Sequence, residues 1–98
     1  MSNPNQLNDL IHAKVRLGIM SLLMAYEECD FTFLKKTLEI TDGNLGSHLQ
    51  KLEEADYIEI RKTFDMKRPK SIIVLTRDGE TAYLEYIETL EAILKRDF

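Results

Sequence analysis

The chain of 98 residues contains a single cysteine, Cys29, and no tryptophan. One thiol excludes an internal disulfide and any cysteine-built zinc site. With no partner cysteine and no adjacent base, Cys29 reads as a buried or tolerated thiol rather than a redox switch. Long apolar runs are also missing. Nothing approaches the roughly 18 residues that a membrane span needs, and the N-terminus has no signal-peptide pattern. A cytoplasmic protein is expected, with no membrane partner. Net positive charge is absent too: the formal value is −4, which argues against nonspecific coating of a polyanion. Catalytic signatures are lacking, since no nucleophile–base pair, phosphate-cradling glycine loop or zinc motif occurs. His12 and His48 are far apart in the chain, and Glu27, Glu28 and Asp30 cluster without a His or Cys beside them. No enzyme activity, metal or cofactor is expected.

What is present fits a soluble globular domain, with 44% hydrophobic and 31% charged residues. Residues 1–98 form one domain with a core that has little to spare. Residues 1–6, polar and containing Pro4, read as a flexible tail. A helix is expected from about Leu7 to Glu27, with Ile11, Val15, Ile19, Leu22, Leu23 and Tyr26 on one stripe and Leu17, Met20 and Met24 on another. A helix apolar on two sides is buried on two sides, and the second surface suggests another subunit. Asp30 to Phe33 reads as a break with a brief extended piece over a sheet edge. Thr32 then caps a short helix, Phe33 to Glu39, and Ile40–Thr41 connects it tightly to the next.

That next helix, 42–55, has Leu45, Leu49 and Leu52 at helical spacing on one side. Its other side carries Asn44, Ser47, His48 and Lys51 in place of the usual dense Glu and Lys. Gly43 and Gly46 each cost up to roughly 1 kcal/mol of helix propensity against Ala, which suggests a surface that something approaches closely. Two strand-like runs follow, Tyr57–Phe64 and Lys70–Thr76, separated by Asp65–Pro69 as a turn. Between positions 61 and 70 the bases Arg61, Lys62, Lys67, Arg68 and Lys70 face a single acid, Asp65. Thr76 is a natural N-cap for a last helix, 77–96, with Gly79 in a crowded first turn. Tyr83, Tyr86, Ile87, Leu90, Ile93 and Leu94 line one face of that helix.

Two short helices joined by a few residues, the second with an exposed polar face, form the helix-turn-helix pattern. The polar face suits the major groove of DNA, where Asn can bond adenine and a neutral His can donate or accept one bond. Thr41 sits at the helix start, where backbone N–H groups suit a phosphate. Asp42 reads as the cap, because an acid facing phosphate is repelled. The basic ribbon suits the backbone or the minor groove, and Lys35 and Lys36 are further candidates for reaching phosphates. The first and last helices offer more apolar surface than so small a core covers. A homodimer is therefore expected, through Leu17, Met20, Met24, Tyr83, Tyr86, Ile87, Leu90, Ile93 and Leu94.

Three stretches carry a family resemblance. They are Ile11 to Ile19 (IHAKVRLGI), Leu45 to Ile58 (LGSHLQKLEEADYI) and Leu75 to Gly79 (LTRDG). From Leu10 to Leu94 the chain resembles small winged-helix transcriptional regulators of the MarR and ArsR groups. Where that family often has Gly before the first wing strand, this chain has Asp56, a residue that tolerates a left-handed turn. The cysteine motif of metal-sensing ArsR proteins is absent. The resemblance implies an α+β, mostly α fold, a winged helix-turn-helix with a two-stranded wing and a C-terminal dimerisation helix. It also implies a dimeric regulator, a repressor, that binds double-stranded DNA and has room for a small-molecule effector between dimer helices and DNA-binding lobe. The contrasting expectation is an adaptor that uses the same fold to bind protein without DNA.

Overall fold

In the computed structural model, which describes residues 3–97, the first long helix starts later than its apolar stripe suggests. The side chain of Asn8 accepts hydrogen bonds from the backbone N–H groups of Leu10 and Ile11, at 2.9 and 3.1 Å. Such local bonds offer the backbone an alternative to helix. Helix α1 therefore spans Lys14–Tyr26. Ile11 is completely buried all the same, from the turn that precedes the helix. Within the stretch expected as a tail, Pro4–Gln6 forms a short 3-10 helix capped by the Asn3 side chain. Positions 1 and 2 of that stretch lie outside the described residues.

The extended piece over the sheet edge is β1, Glu28–Asp30. Asp30 also caps α2, Phe31–Leu38, accepting from the Phe33 N–H at 2.7 Å. It displaces Thr32 from the expected role because a strand that ends on Asp leaves that carboxylate at the helix N-terminus. A left-handed Glu39 (φ 54°) and Ile40–Thr41 turn the chain into α3, Asp42–Glu54. Asp56, at φ 62°, then makes the left-handed turn its position requires. Strands β2, Ile58–Asp65, and β3, Arg68–Leu75, precede α4, Arg77–Leu94.

The sheet is antiparallel in the order β1-β3-β2, with Cys29 opposite Ile73 and Ile60 opposite Ile73 on the other side. The pairing runs further out than the expected turn allows: Phe64 faces Pro69 and Asp65 faces Arg68. Only Met66 and Lys67 turn the hairpin, at φ 51° and 70°. A two-residue loop closes on a hydrogen-bonded pair, so Pro69 falls on the next, non-bonded pair, where its missing N–H costs the β2–β3 ladder nothing.

Ile19, Met20 and Leu23 of α1 meet Leu34 of α2, Leu45, Leu49 and Leu52 of α3, and Ile58 and Ile73 of the sheet, each at 0–2% exposure. Burying each large side chain contributes about 1.5–3 kcal/mol. Three such leucines outweigh the roughly 1 kcal/mol lost at each glycine of α3. Packing therefore holds the helix that propensity alone would leave weak.

Helix α4 returns to α1 and to the turn before it through two hydroxyl contacts. Ser21 Oγ lies 2.7 Å from the Tyr83 hydroxyl, and His12 Nδ1 lies 2.7 Å from that of Tyr86. Met20 is fully buried and Tyr86 is 2% exposed. Both are consumed within the protomer, which corrects their expected place on a subunit interface. Tyr26 departs from its expected stripe in the other direction: it is exposed and meets Phe33 edge-on, with ring centroids 5.5 Å apart. Cys29 is buried, and desolvation, then Asp30 and Glu28, push its thiol pKa upward. No described helix is long and apolar enough to cross a membrane.

Candidate nucleic-acid interface

Leu45, Leu49 and Leu52 face inward, so the rest of α3 is turned out by the helical repeat alone. Asn44, Ser47 and Lys51 are exposed, and their side chains make no hydrogen bond or ion pair among the described residues. Gly43 and Gly46 have nothing within 4 Å of where a Cβ would sit, and neither has a positive φ. Nothing in the protomer's own packing or backbone geometry calls for glycine at either position.

His48 occupies a different setting from its three neighbours. The Arg16 guanidinium reaches across from α1, its Nη1 2.9 Å from His48 Nδ1, while its Nε donates to the Leu10 carbonyl at 2.6 Å. A guanidinium can only donate, so Nδ1 is the acceptor and the ring proton sits on Nε2. Partial burial lowers the His48 pKa, and the charges of Arg16 and Lys51 lower it further. His48 thus braces α3 against α1 as a neutral ring whose remaining nitrogen is a donor. The sequence gives no sign of the Arg16 contact, which joins residues 32 positions apart.

Thr41 is the N-cap of α3, its hydroxyl accepting from the Asn44 N–H at 3.1 Å. Asp42, expected as the cap, is the first helical residue and pairs with Lys35 at 2.8 Å. The carboxylate is better placed there for the helix dipole and for the α2 lysine than for the orphan N–H groups. Lys35 is thereby engaged, whereas Lys36 is exposed.

Strand alternation divides the basic ribbon between two faces. From the register, Arg61, Lys70 and Arg68 share the face opposite the core, with Lys70 3.6 Å from Asp30 and Arg61 3.1 Å from Glu59. Lys62 lies on the face that continues from Ile58 and Ile60, together with Phe64 and Pro69. The five bases, expected as one patch, are separated by the pairing across the ladder. Lys62, Lys67 and Arg68 form no ion pair among the described residues and remain available to an external anion. Phe64 and Met66, absent from the expected site, stand exposed at the tip. Phe64 was legible as the outward continuation of the Ile58–Ile60 alternation beyond the body of the protein.

The surface expected for a second subunit is less uniform. Leu17, Met24, Tyr83, Ile87, Leu90 and Ile93 are half-buried, and Leu94 is 72% exposed. Leu84, 53% exposed on α4, joins them although its place in the sequence stripe was not evident.

Residues 15–94 match the family described as winged helix DNA-binding domain. The chain is 42% identical over 78 residues to an uncharacterized protein of Methanocaldococcus jannaschii, a match covering 80% of this chain and 85% of that one. The solved transcriptional regulator homologue protein from Pyrococcus horikoshii OT3 aligns with a TM-score of 0.84 and 28% identity, over 90% of this chain and 87% of that one. The crystal structure of NadR in complex with 4-hydroxyphenylacetate aligns with a TM-score of 0.73 and 25% identity, over 91% of this chain and 62% of NadR.

Proposed function

The chain belongs to the winged helix DNA-binding domain family, and on that premise we propose that it binds duplex DNA sequence-specifically as a dimeric transcriptional regulator. Helix α3 enters the major groove, and the β2–β3 wing lies on the backbone or in the minor groove beside it. Bound over a promoter, the dimer acts as a repressor by excluding polymerase. What supports this most directly is the outer face of α3, where Asn44, Ser47 and Lys51 are exposed and their side chains have no partner among the described residues. Side chains of these types match the donor and acceptor pattern of base edges. Thr41, with its hydroxyl engaged as a cap, contributes backbone N–H groups to a phosphate rather than a side chain. His48 presents its Nε2–H to an acceptor such as guanine O6 or thymine O4.

The basic residues of the wing supply charge rather than sequence discrimination. Lys67 and Arg68, at the tip, contact phosphates directly. Lys70, Arg61 and Lys62 add to the local field, the first two after release from Asp30 and Glu59. Two copies joined through α4 and α1 set the two recognition helices about 34 Å apart and so require a pseudo-palindromic site. A small-molecule effector fits the same arrangement, as NadR was crystallised with 4-hydroxyphenylacetate.

Labelled duplexes selected from a random pool provide the test, titrated at several salt concentrations. Lys67→Gln and Arg68→Gln should weaken binding to all sequences and reduce the salt slope by about one for each lost phosphate contact. Asn44→Ala and Lys51→Ala should instead change which sequences are preferred. If both sets leave affinity and preference untouched, the faces are wrongly assigned. Failure of the parent protein to be retained on a DNA column at low salt would favour an adaptor.

A further inference from the structure

The end of the wing combines two properties that soluble proteins usually keep apart. Phe64 is 73% exposed and Met66 is 92% exposed, and neither packs against the hydrophobic core. Phe64 lies opposite Pro69, so the last pair but one of the ribbon is apolar, while the closing pair, Asp65 opposite Arg68, is charged. Around them Lys62, Lys67 and Arg68 are exposed and free of ion pairs among the described residues. The turn itself is an unusual place for Met66. Its φ of 51°, like the 70° of Lys67, suits Gly or Asn better than a long side chain. Here the turn displays a thioether and an ammonium group side by side.

An apolar tip flanked by cations on both faces of the ribbon matches the minor groove at a deformable base step. Phosphates on both strands answer the cations, and the exposed faces of an unstacked step answer the apolar side chains. We propose that the wing tip is a wedge: Phe64 and Met66 enter the minor groove and partly unstack one flexible pyrimidine–purine step, kinking the duplex. The wedge rests on the placement of the wing against DNA given above and adds to it a deformation and a preference at the kinked step. Sequence discrimination at that step comes from how easily it opens, not from hydrogen bonds to its bases.

The full chain is titrated with its selected duplex, carrying 2-aminopurine at successive positions under the wing and a fluorophore pair at the ends. The parent is expected to raise 2-aminopurine emission at one step and to shorten the end-to-end distance. Phe64→Ala and Met66→Asn should each remove both signals and weaken binding about tenfold, while the slope of affinity against salt stays unchanged. Both side chains are exposed, and Asn suits the positive φ at position 66, so the hairpin is retained. Lys67→Gln, the charge control, should lower the salt slope and keep the unstacking signal. Salt-dependent binding by the parent without either signal, or parent-like binding by both apolar variants, would overturn the wedge and leave the DNA reading standing. No duplex binding by the parent would overturn both. Loss of vesicle adsorption in Phe64→Ala, on phosphatidylglycerol vesicles and with DNA affinity intact, would assign the tip to a membrane instead and overturn the wedge.

Discussion

Gly43 and Gly46 show how much can be learned from side chains that are not there. Each costs α3 up to roughly 1 kcal/mol relative to Ala, and the space where a Cβ would sit is open in both cases. Gly43→Ala and Gly46→Ala should therefore stabilise the free protein by about 0.4–1 kcal/mol each, measured as a shift of the urea midpoint. On the DNA reading the same variants lose affinity, because the added methyl stands between helix and groove. Stabilisation without loss of binding would remove the glycines from the interface. His48 makes a second residue-scale case. Its pKa in the folded protein is lowered from the ordinary 6.5, so the unfolded chain binds the proton more readily. Its contribution to stability is fully present above pH 6.5 and is lost as pH falls through the depressed folded value. His48→Gln should flatten the pH dependence of the unfolding midpoint on the acidic side of 6.5. An unchanged slope would show that the Arg16 brace does not depend on a neutral ring.

Among the elements, α4 is tied most closely to the rest of the chain at its N-terminus. The Thr76 hydroxyl accepts from the Gly79 N–H at 3.0 Å and donates to the Asp56 carbonyl at 2.6 Å, and Thr76 N–H donates to the Tyr57 carbonyl. A Cβ on Gly79 would fall 2.1 Å from the Tyr57 carbonyl oxygen, which backbone cannot yield cheaply. Gly79→Ala is expected to destabilise by about 1–3 kcal/mol or more through overpacking, and Thr76→Ala by about 1–2 kcal/mol through loss of the cap. Because both act on one corner, the double variant should lose less than the sum of the two in urea unfolding. The cap and the crowding at Gly79 were legible as a motif, since Thr-x-x-Gly before an apolar stripe states its own local geometry. The wing was less legible. Pro69 looks like a chain breaker until the register shows which pair it occupies, and Met66–Lys67 lacks the Gly or Asn that would have announced a two-residue turn.

For the molecule as a whole, the question is which apolar surface remains after the protomer has folded. Leu84 and Leu94 on α4 are exposed, with Ile87, Leu90 and Ile93 half-buried beside them. If two copies pair through this face, Leu84→Glu together with Leu94→Glu should shift sedimentation from dimer to monomer. The same pair of substitutions should lower affinity for a palindromic duplex far more than for a single half-site. A parent that sediments as a monomer at micromolar concentration, or a variant that remains a dimer, would move the subunit contact elsewhere.

Local order and periodicity were sufficient for the element sequence, the polar outer face of α3, the left-handed Asp56 and the cap at Thr76, because each depends on neighbours within one or two helical turns. They also sufficed for the winged-helix class, since few folds share that succession of helices and strands. Contacts between distant parts of the chain decided the rest. Those contacts buried Met20 and Tyr86 inside one protomer, joined Arg16 to His48, and replaced Thr32 by Asp30 once β1 had docked on β3. They also set the register that pairs Asp65 with Arg68 and left Met66 in the turn of the wing. No pattern in a linear string reports which of two apolar faces the core consumes first, because that outcome depends on how all the elements fit together.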